Sequence, residues 1–201
     1  MARPTKDLNP ALTAKIPANL DSSHPSSMNL ETEILREHSK RQCLRIASWI
    51  GRDRKRFKDL MKLFLVGDYR TTQRTAWIIK HCADEHRELI LPHIDPMLER
   101  MLEAGVHVAV KRNVIRILQD LEIPRPLAGK IATICFDLLA SHNEPIAVKV
   151  FSMTVLANLA REEPDLKNEI RILVEREMIN GSAGFRSRGA KVLRKLDSVT
   201  V

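Results

Sequence analysis

Lys40-Arg41-Gln42-Cys43-Leu44-Arg45-Ile46-Ala47-Ser48-Trp49-Ile50-Gly51 and Lys111-Arg112-Asn113-Val114-Ile115-Arg116-Ile117-Leu118-Gln119-Asp120-Leu121-Glu122 are close copies of one segment. Lys-Arg opens both, an Arg-Ile pair follows at the same offset, and apolar residues fall 3, 4, 6 and 10 positions after the lysine. Further copies begin at Lys149 (with Met153, Val155, Leu156 and Leu159) and at Arg186 (with Val192, Leu193 and Leu196). A looser one begins at Thr72 and carries Ala76, Ile78, Ile79 and Cys82. The anchors 40, 72, 111, 149 and 186 are separated by steps of 32, 39, 38 and 37 residues. Spacing of this size marks a solenoid, in which each unit buries its apolar face against its neighbours.

Composition agrees with packed helices. Hydrophobic residues make up 44% of the 201-residue chain and aromatics only 4%, so the core is aliphatic. The 3.6-residue period places first helices of each pair over 30–50, 69–83, 106–121, 144–160 and 183–196. Second helices fall over 53–66, 86–104, 124–140 and 164–179. The fold class is therefore all-α, a right-handed α–α superhelix of about four helix pairs plus a terminal helix. Gly51, Gly67, Gly105 and Gly181 stand at helix ends, where glycine takes the left-handed cap without steric cost. Pro92 and Pro96 predict that the helix over 86–104 either kinks or starts late. Residues 1–28, with Pro4, Pro10, Pro17 and Pro25, form an N-terminal arm, and the repeat domain covers 29–201.

The formal charge of +8 is unevenly spread. Residues 36–62 carry ten basic side chains against Glu37, Asp53 and Asp59. Within them Phe57, Leu60, Met61, Phe64 and Leu65 make one apolar stripe, and Arg54, Lys55, Lys58 and Lys62 lie on the opposite face. Such a face either binds an acidic partner or keeps a repeat protein soluble. A second basic cluster closes the chain. There Gly181-Ser182-Ala183-Gly184 precedes Arg186 and Arg188, so Ser182, Arg186 and Arg188 form a weaker anion-site candidate at a helix N-terminus. The alternative is a capped turn with Gly189 relieving close packing.

The pattern resembles the HEAT-repeat family, in which Val-Lys or Val-Arg opens a helix of each pair. Val110-Lys111 and Val148-Lys149 match that opening, Phe185-Arg186 matches with an aromatic in place of Val, and Thr71-Thr72 departs from it. The resemblance covers about residues 30–196 and implies a binding scaffold. It also implies that the second helices line the concave side, which would turn the Arg54–Lys62 face into a groove. A subset of such proteins, the alkylpurine DNA glycosylases, uses tryptophans and an acidic residue in a basic groove. Trp49 and Trp77 are the only tryptophans here, and neither Asp120 nor Asp137 has the expected aromatic neighbours in sequence.

Chemistry-bearing motifs are otherwise sparse. His81-Cys82-Ala83-Asp84-Glu85-His86 holds metal-ligand residue types but lacks a second ligand pair, and Asp84 is a good N-cap for the next helix. No metal or cofactor is expected, and no catalytic residue is assigned. Cys43, Cys82 and Cys135 are scattered, which suits a reducing cytoplasm. No apolar run spans a bilayer. The expected function is a cytoplasmic, non-enzymatic scaffold presenting a partly basic surface to a protein or nucleic acid, with a nucleic-acid-binding relative of the glycosylases as the alternative. No small-molecule substrate is indicated.

Overall fold

The computed structural model describes residues 28–198. The N-terminal arm lies outside the described residues except for Met28, which packs against the core. Ten α-helices follow in order: α1 (Leu30–Arg36), α2 (Lys40–Ile50), α3 (Arg54–Val66), α4 (Tyr69–Glu85), α5 (Ile94–Leu102), α6 (Val108–Leu118), α7 (Arg125–Ala140), α8 (Ile146–Leu159), α9 (Leu166–Ile179) and α10 (Ala183–Asp197). No strand occurs among the described residues.

The even-numbered helices, which contain the five repeat segments, pack side by side in an unbroken row: α2 on α4, α4 on α6, α6 on α8 and α8 on α10. The odd-numbered helices form the second layer. Each of α3, α5, α7 and α9 packs most closely on even helices and touches other odd helices only sparsely.

Two expected helices differ in extent, each for a local reason. The segment 30–50 is broken, because Glu37 is extended and Ser39 starts a new helix by accepting a hydrogen bond from the Gln42 backbone. The buried Gln42 side chain then ties the pair together by donating to the Glu33 carbonyl at 2.7 Å and to its carboxylate at 3.0 Å. α1 thus supplies α2 with a partner, and the described residues hold five helix pairs. The helix over 86–104 starts late: two 3-10 turns at Arg87–Leu89 and Leu91–His93 precede α5. Pro96 then falls in the first turn, where a missing N–H costs no helical hydrogen bond.

Glycine acts differently at two of the four expected caps. Only Gly51 and Gly105 have positive φ, at 49° and 75°. Gly67 has φ −66°, and what it supplies is room, since a Cβ there would lie 2.3 Å from the Leu63 carbonyl oxygen. Gly181 is likewise pressed, against Phe185 and the Glu177 carbonyl. The departure of the second repeat from Val-Lys has a cause at the same turn. The Thr72 hydroxyl donates to the carbonyls of Gly67 (3.0 Å) and Phe64 (3.3 Å), closing the end of α3. Arg100 donates to the same Gly67 carbonyl at 3.0 Å.

Between the rows lies one aliphatic core. Ile46, Ile117, Leu118 and Leu156 are buried in it. Leu193, expected beside them, is only half-buried, and Val192 and Leu196 fill its place. Among the described residues α10 has an even helix on one side only, and its apolar stripe is narrower. The core thiols are pushed up by burial, Cys43 to about 11 and Cys82 and Cys135 to about 12.

The anchor lysines of the repeat tie successive units. Lys111 of α6 pairs with Glu144, just before α8, and Lys149 of α8 pairs with Glu177 of α9 at 2.6 Å. Burial acts to raise the Glu177 pKa, but the Lys149 ammonium and then the Arg176 guanidinium outweigh it, leaving the carboxyl below its ordinary value. Arg186, the fifth anchor, instead donates to the Gly181 carbonyl at 2.6 Å.

Two outcomes follow for denaturant unfolding. Leu118→Ala and Leu156→Ala each cost roughly 2–5 kcal/mol, because each leaves a cavity between both rows. Leu193→Ala costs clearly less. Equal losses at the three positions would contradict a nearest-neighbour array. For the Glu177 pair the sign is that of a depressed carboxyl. Its stabilisation is complete above the ordinary value of 4.5 and is lost as pH falls through the lower folded value. Glu177→Gln should flatten the acid side of the stability–pH curve and destabilise at neutral pH. An unchanged acid limb would show that the pair contributes nothing.

Candidate basic interaction surfaces

α3 begins at Asp53, whose carboxylate accepts from the backbone N–H groups of Lys55 and Arg56 at 2.8 and 3.1 Å. Phe57, Leu60, Met61 and Phe64 turn into the core. Arg54, Lys55, Lys58 and Lys62 are therefore exposed on the opposite face, and none forms an ion pair among the described residues. Arg56 differs: its guanidinium stacks 4.3 Å from the centre of the buried Trp49 ring and donates to the Trp49 carbonyl at 2.6 Å. The cation count on α3 thus divides into one structural arginine and four free side chains. α3 belongs to the row of odd helices, and this face points away from the core it shares with the even row.

The Ser182, Arg186 and Arg188 candidates do not converge. Ser182 caps α10 by accepting from the Phe185 N–H at 3.3 Å. Arg186 is held at the Gly181 carbonyl, while Arg188 donates to the Thr154 hydroxyl on α8 at 3.3 Å. Gly189 beside them is a contact point, because a Cβ there would meet the Met178 sulfur at 2.6 Å. Ser182 does border a cleft of about 610 Å³ between α8, α9 and α10. The charges in that cleft are Lys149 and Arg176, both paired with Glu177, and Glu144, which is tied to Lys111.

The His81–His86 segment does not assemble a metal centre. Cys82 is buried in the core, and Asp84 is paired with Lys80 inside α4, which runs on to Glu85; Asp84 is not the N-cap expected of it. Among the described residues no group of three His, Cys, Asp or Glu side chains is placed to hold a metal. Asp120 and Asp137 are both exposed.

A second surface emerges on the free face of the even row. The His38 ring meets Trp77 of α4 edge-on at 5.4 Å, and the Trp77 and His81 rings lie 6.0 Å apart. Arg116 of α6 is close enough to His81 to act on its charge, and its guanidinium lies 6.0 Å from the Phe151 ring of α8. One turn along α8, Thr154 accepts from Arg188 of α10. These contacts run helix to helix across the array, so aromatic and cationic side chains alternate in one stripe. Arg116 is exposed, and Trp77, Phe151 and Arg188 are half-buried. Burial, then the nearby Lys80, Lys40 and Arg116 charges, outweigh Asp84 and hold the His81 pKa below its ordinary value. Its buried Nε2 makes no hydrogen bond. Further along the row, Lys195 donates to the Asn158 side chain, and burial and the Arg161 charge hold its pKa below the ordinary value.

Grouping charge by local density points to α3 and misses this stripe. The signal that marks it is register: Trp77, Arg116 and Thr154 each stand five residues after an anchor, at 72, 111 and 149. Phe151 and Arg188 stand two residues after theirs, at 149 and 186, on the same side of the helix.

A family profile described as a HEAT repeat domain matches residues 30–196, the whole span from the first residue of α1 to Leu196 in α10. No curated protein and no solved structure gives a significant match. With its paired helices, Val-Lys openings and this match over most of its length, the chain belongs to the HEAT-repeat family.

Proposed function

We propose that the protein is a non-enzymatic helical-repeat scaffold whose α3 face docks a macromolecule with an acidic surface. The observation that carries this reading is the contrast among its cations. The anchor lysines Lys111 and Lys149 are paired across repeats, whereas Arg54, Lys55, Lys58 and Lys62 stand exposed and unpaired on a rigid helix. Unpaired charge on one face steers an oppositely charged partner. The face has no exposed aromatic ring among these four positions, so it fits recognition of charge rather than of bases or apolar side chains. A cytoplasmic setting agrees with three buried free thiols. No helix among the described residues is long and apolar enough to cross a membrane. The glycosylase alternative gains no support from Asp120 and Asp137, which are exposed rather than sheltered beside a tryptophan.

The test is a salt titration of wild type and Lys58→Ala/Lys62→Ala against polyglutamate and a DNA duplex. Wild type should bind at low salt and weaken steadily as salt rises. The double variant should associate more slowly with polyglutamate, or lose about one unit of log–log salt slope per lost phosphate contact with the duplex. Absence of binding to both probes at low salt, or identical behaviour of the variant, would overturn a docking role for α3.

A further inference from the structure

We infer that the free face of the even row is a second binding surface, and that it takes single-stranded nucleic acid. The inference is independent of the α3 reading: it concerns the other layer and uses different chemistry.

Three features of the stripe point to this ligand. First, it supplies rings and charges in alternation: Trp77, then Arg116, then Phe151, then Arg188. Strands without sequence preference are held in this way, with bases stacking on aromatic side chains and phosphates meeting arginine and lysine. Second, the cations along it have no carboxylate partners. Arg116, Arg188 and Lys195 form no ion pair among the described residues, and Arg188 and Lys195 donate to the neutral Thr154 and Asn158 side chains. An acidic ligand would thus replace water, not displace an internal anion. Third, the His81 ring lies 6.0 Å from Trp77 and adds a second ring at that end of the stripe.

The choice of single strand over duplex follows from the placement of the rings. Trp77 and Phe151 are half-buried in the row and cannot insert into a closed stack. They can meet only bases that are already unstacked and free to lie on them. A path across the even row also lets a flexible strand follow α4, α6, α8 and α10 together, which a stiff duplex would reach at fewer points.

Fluorescence anisotropy with labelled oligo-dT and oligo-U, a duplex of equal length, and polyglutamate tests this on the full chain. Wild type should bind the single strands more tightly than the duplex, with quenching of tryptophan emission that is lost in Trp77→Phe. Arg116→Gln/Arg188→Gln should weaken single-strand binding at least tenfold and reduce the salt slope by roughly 0.7 per lost phosphate contact. Phe151→Leu, which keeps an apolar side chain in place, should weaken it about fivefold or more. Thermal unfolding by circular dichroism checks that each variant is folded, and the exposed Arg116→Gln alone serves if Phe151→Leu is not. Lys58→Ala/Lys62→Ala should change single-strand affinity by less than about threefold, since one remote charge pair acts only through the screened field. Single-strand binding that the α3 variant abolishes and the stripe variants leave intact would overturn the stripe while sustaining α3 docking. Binding of polyglutamate or duplex without single-strand binding would do the same. Loss of polyglutamate binding alone would overturn α3 docking and leave the stripe standing.

Discussion

Everything in this molecule depends on how an even helix is enclosed. α4, α6 and α8 each have an even neighbour on both sides and the odd row beneath. Three sides are therefore committed to burial, and the aliphatic positions of the repeat are those three sides: in α6 they are Val110, Val114, Ile115, Ile117 and Leu118. One narrow side remains. Whatever the even row presents on that side must be carried by few positions, Arg112 and Arg116 in α6 and Gln119 at its end. Odd helices are held less tightly and keep a broader outer face, which is why α3 can display four cations with no structural duty.

The same enclosure explains where charge is paired. At the start of α6 and α8 the side chain at the anchor reaches a carboxylate of the following segment. Lys111 and Lys149 make that link, and both partners of the second pair are nearly buried. Such a pair is worth more than an exposed one because it is less screened, although part of its attraction is offset by desolvation. Its geometric role is plain: it fixes the rotation of one helix pair on the next. Arg186 departs from the rule, because its side chain turns onto the Gly181 carbonyl just before its own helix.

Much of the architecture was legible in the sequence because solenoid burial is periodic. The anchors placed all five even helices, and Ile46, Ile117, Leu118 and Leu156 lie between the rows as their offsets require. The misreadings are local. Apolar periodicity continues across Glu37–Ser39, so it cannot see the cap at Ser39 that breaks 30–50 into two helices. Leu193 is only half-buried because, among the described residues, α10 has an even neighbour on one side alone. Asp84 reads as a cap in sequence, yet Lys80 one turn earlier claims its carboxylate. The surface was the hardest part. Arg54, Lys55, Lys58 and Lys62 are adjacent in sequence and visible as a cluster, whereas Trp77, Arg116, Phe151 and Arg188 come from four helices and meet only when the repeats are stacked.

That difference separates two ways in which a repeat protein can hold a binding surface. A cluster within one helix, as on α3, exists before the array forms and is insensitive to how the repeats are stacked. A stripe built from one side chain per repeat exists only at the correct stacking, because a small rotation of α8 on α6 would carry Phe151 away from Arg116. The Lys111–Glu144 and Lys149–Glu177 pairs set that rotation on both sides of α8. The interior ion pairs thus do for the stripe what a rigid scaffold does for any preorganised site: they remove the cost of aligning its members at the moment of binding.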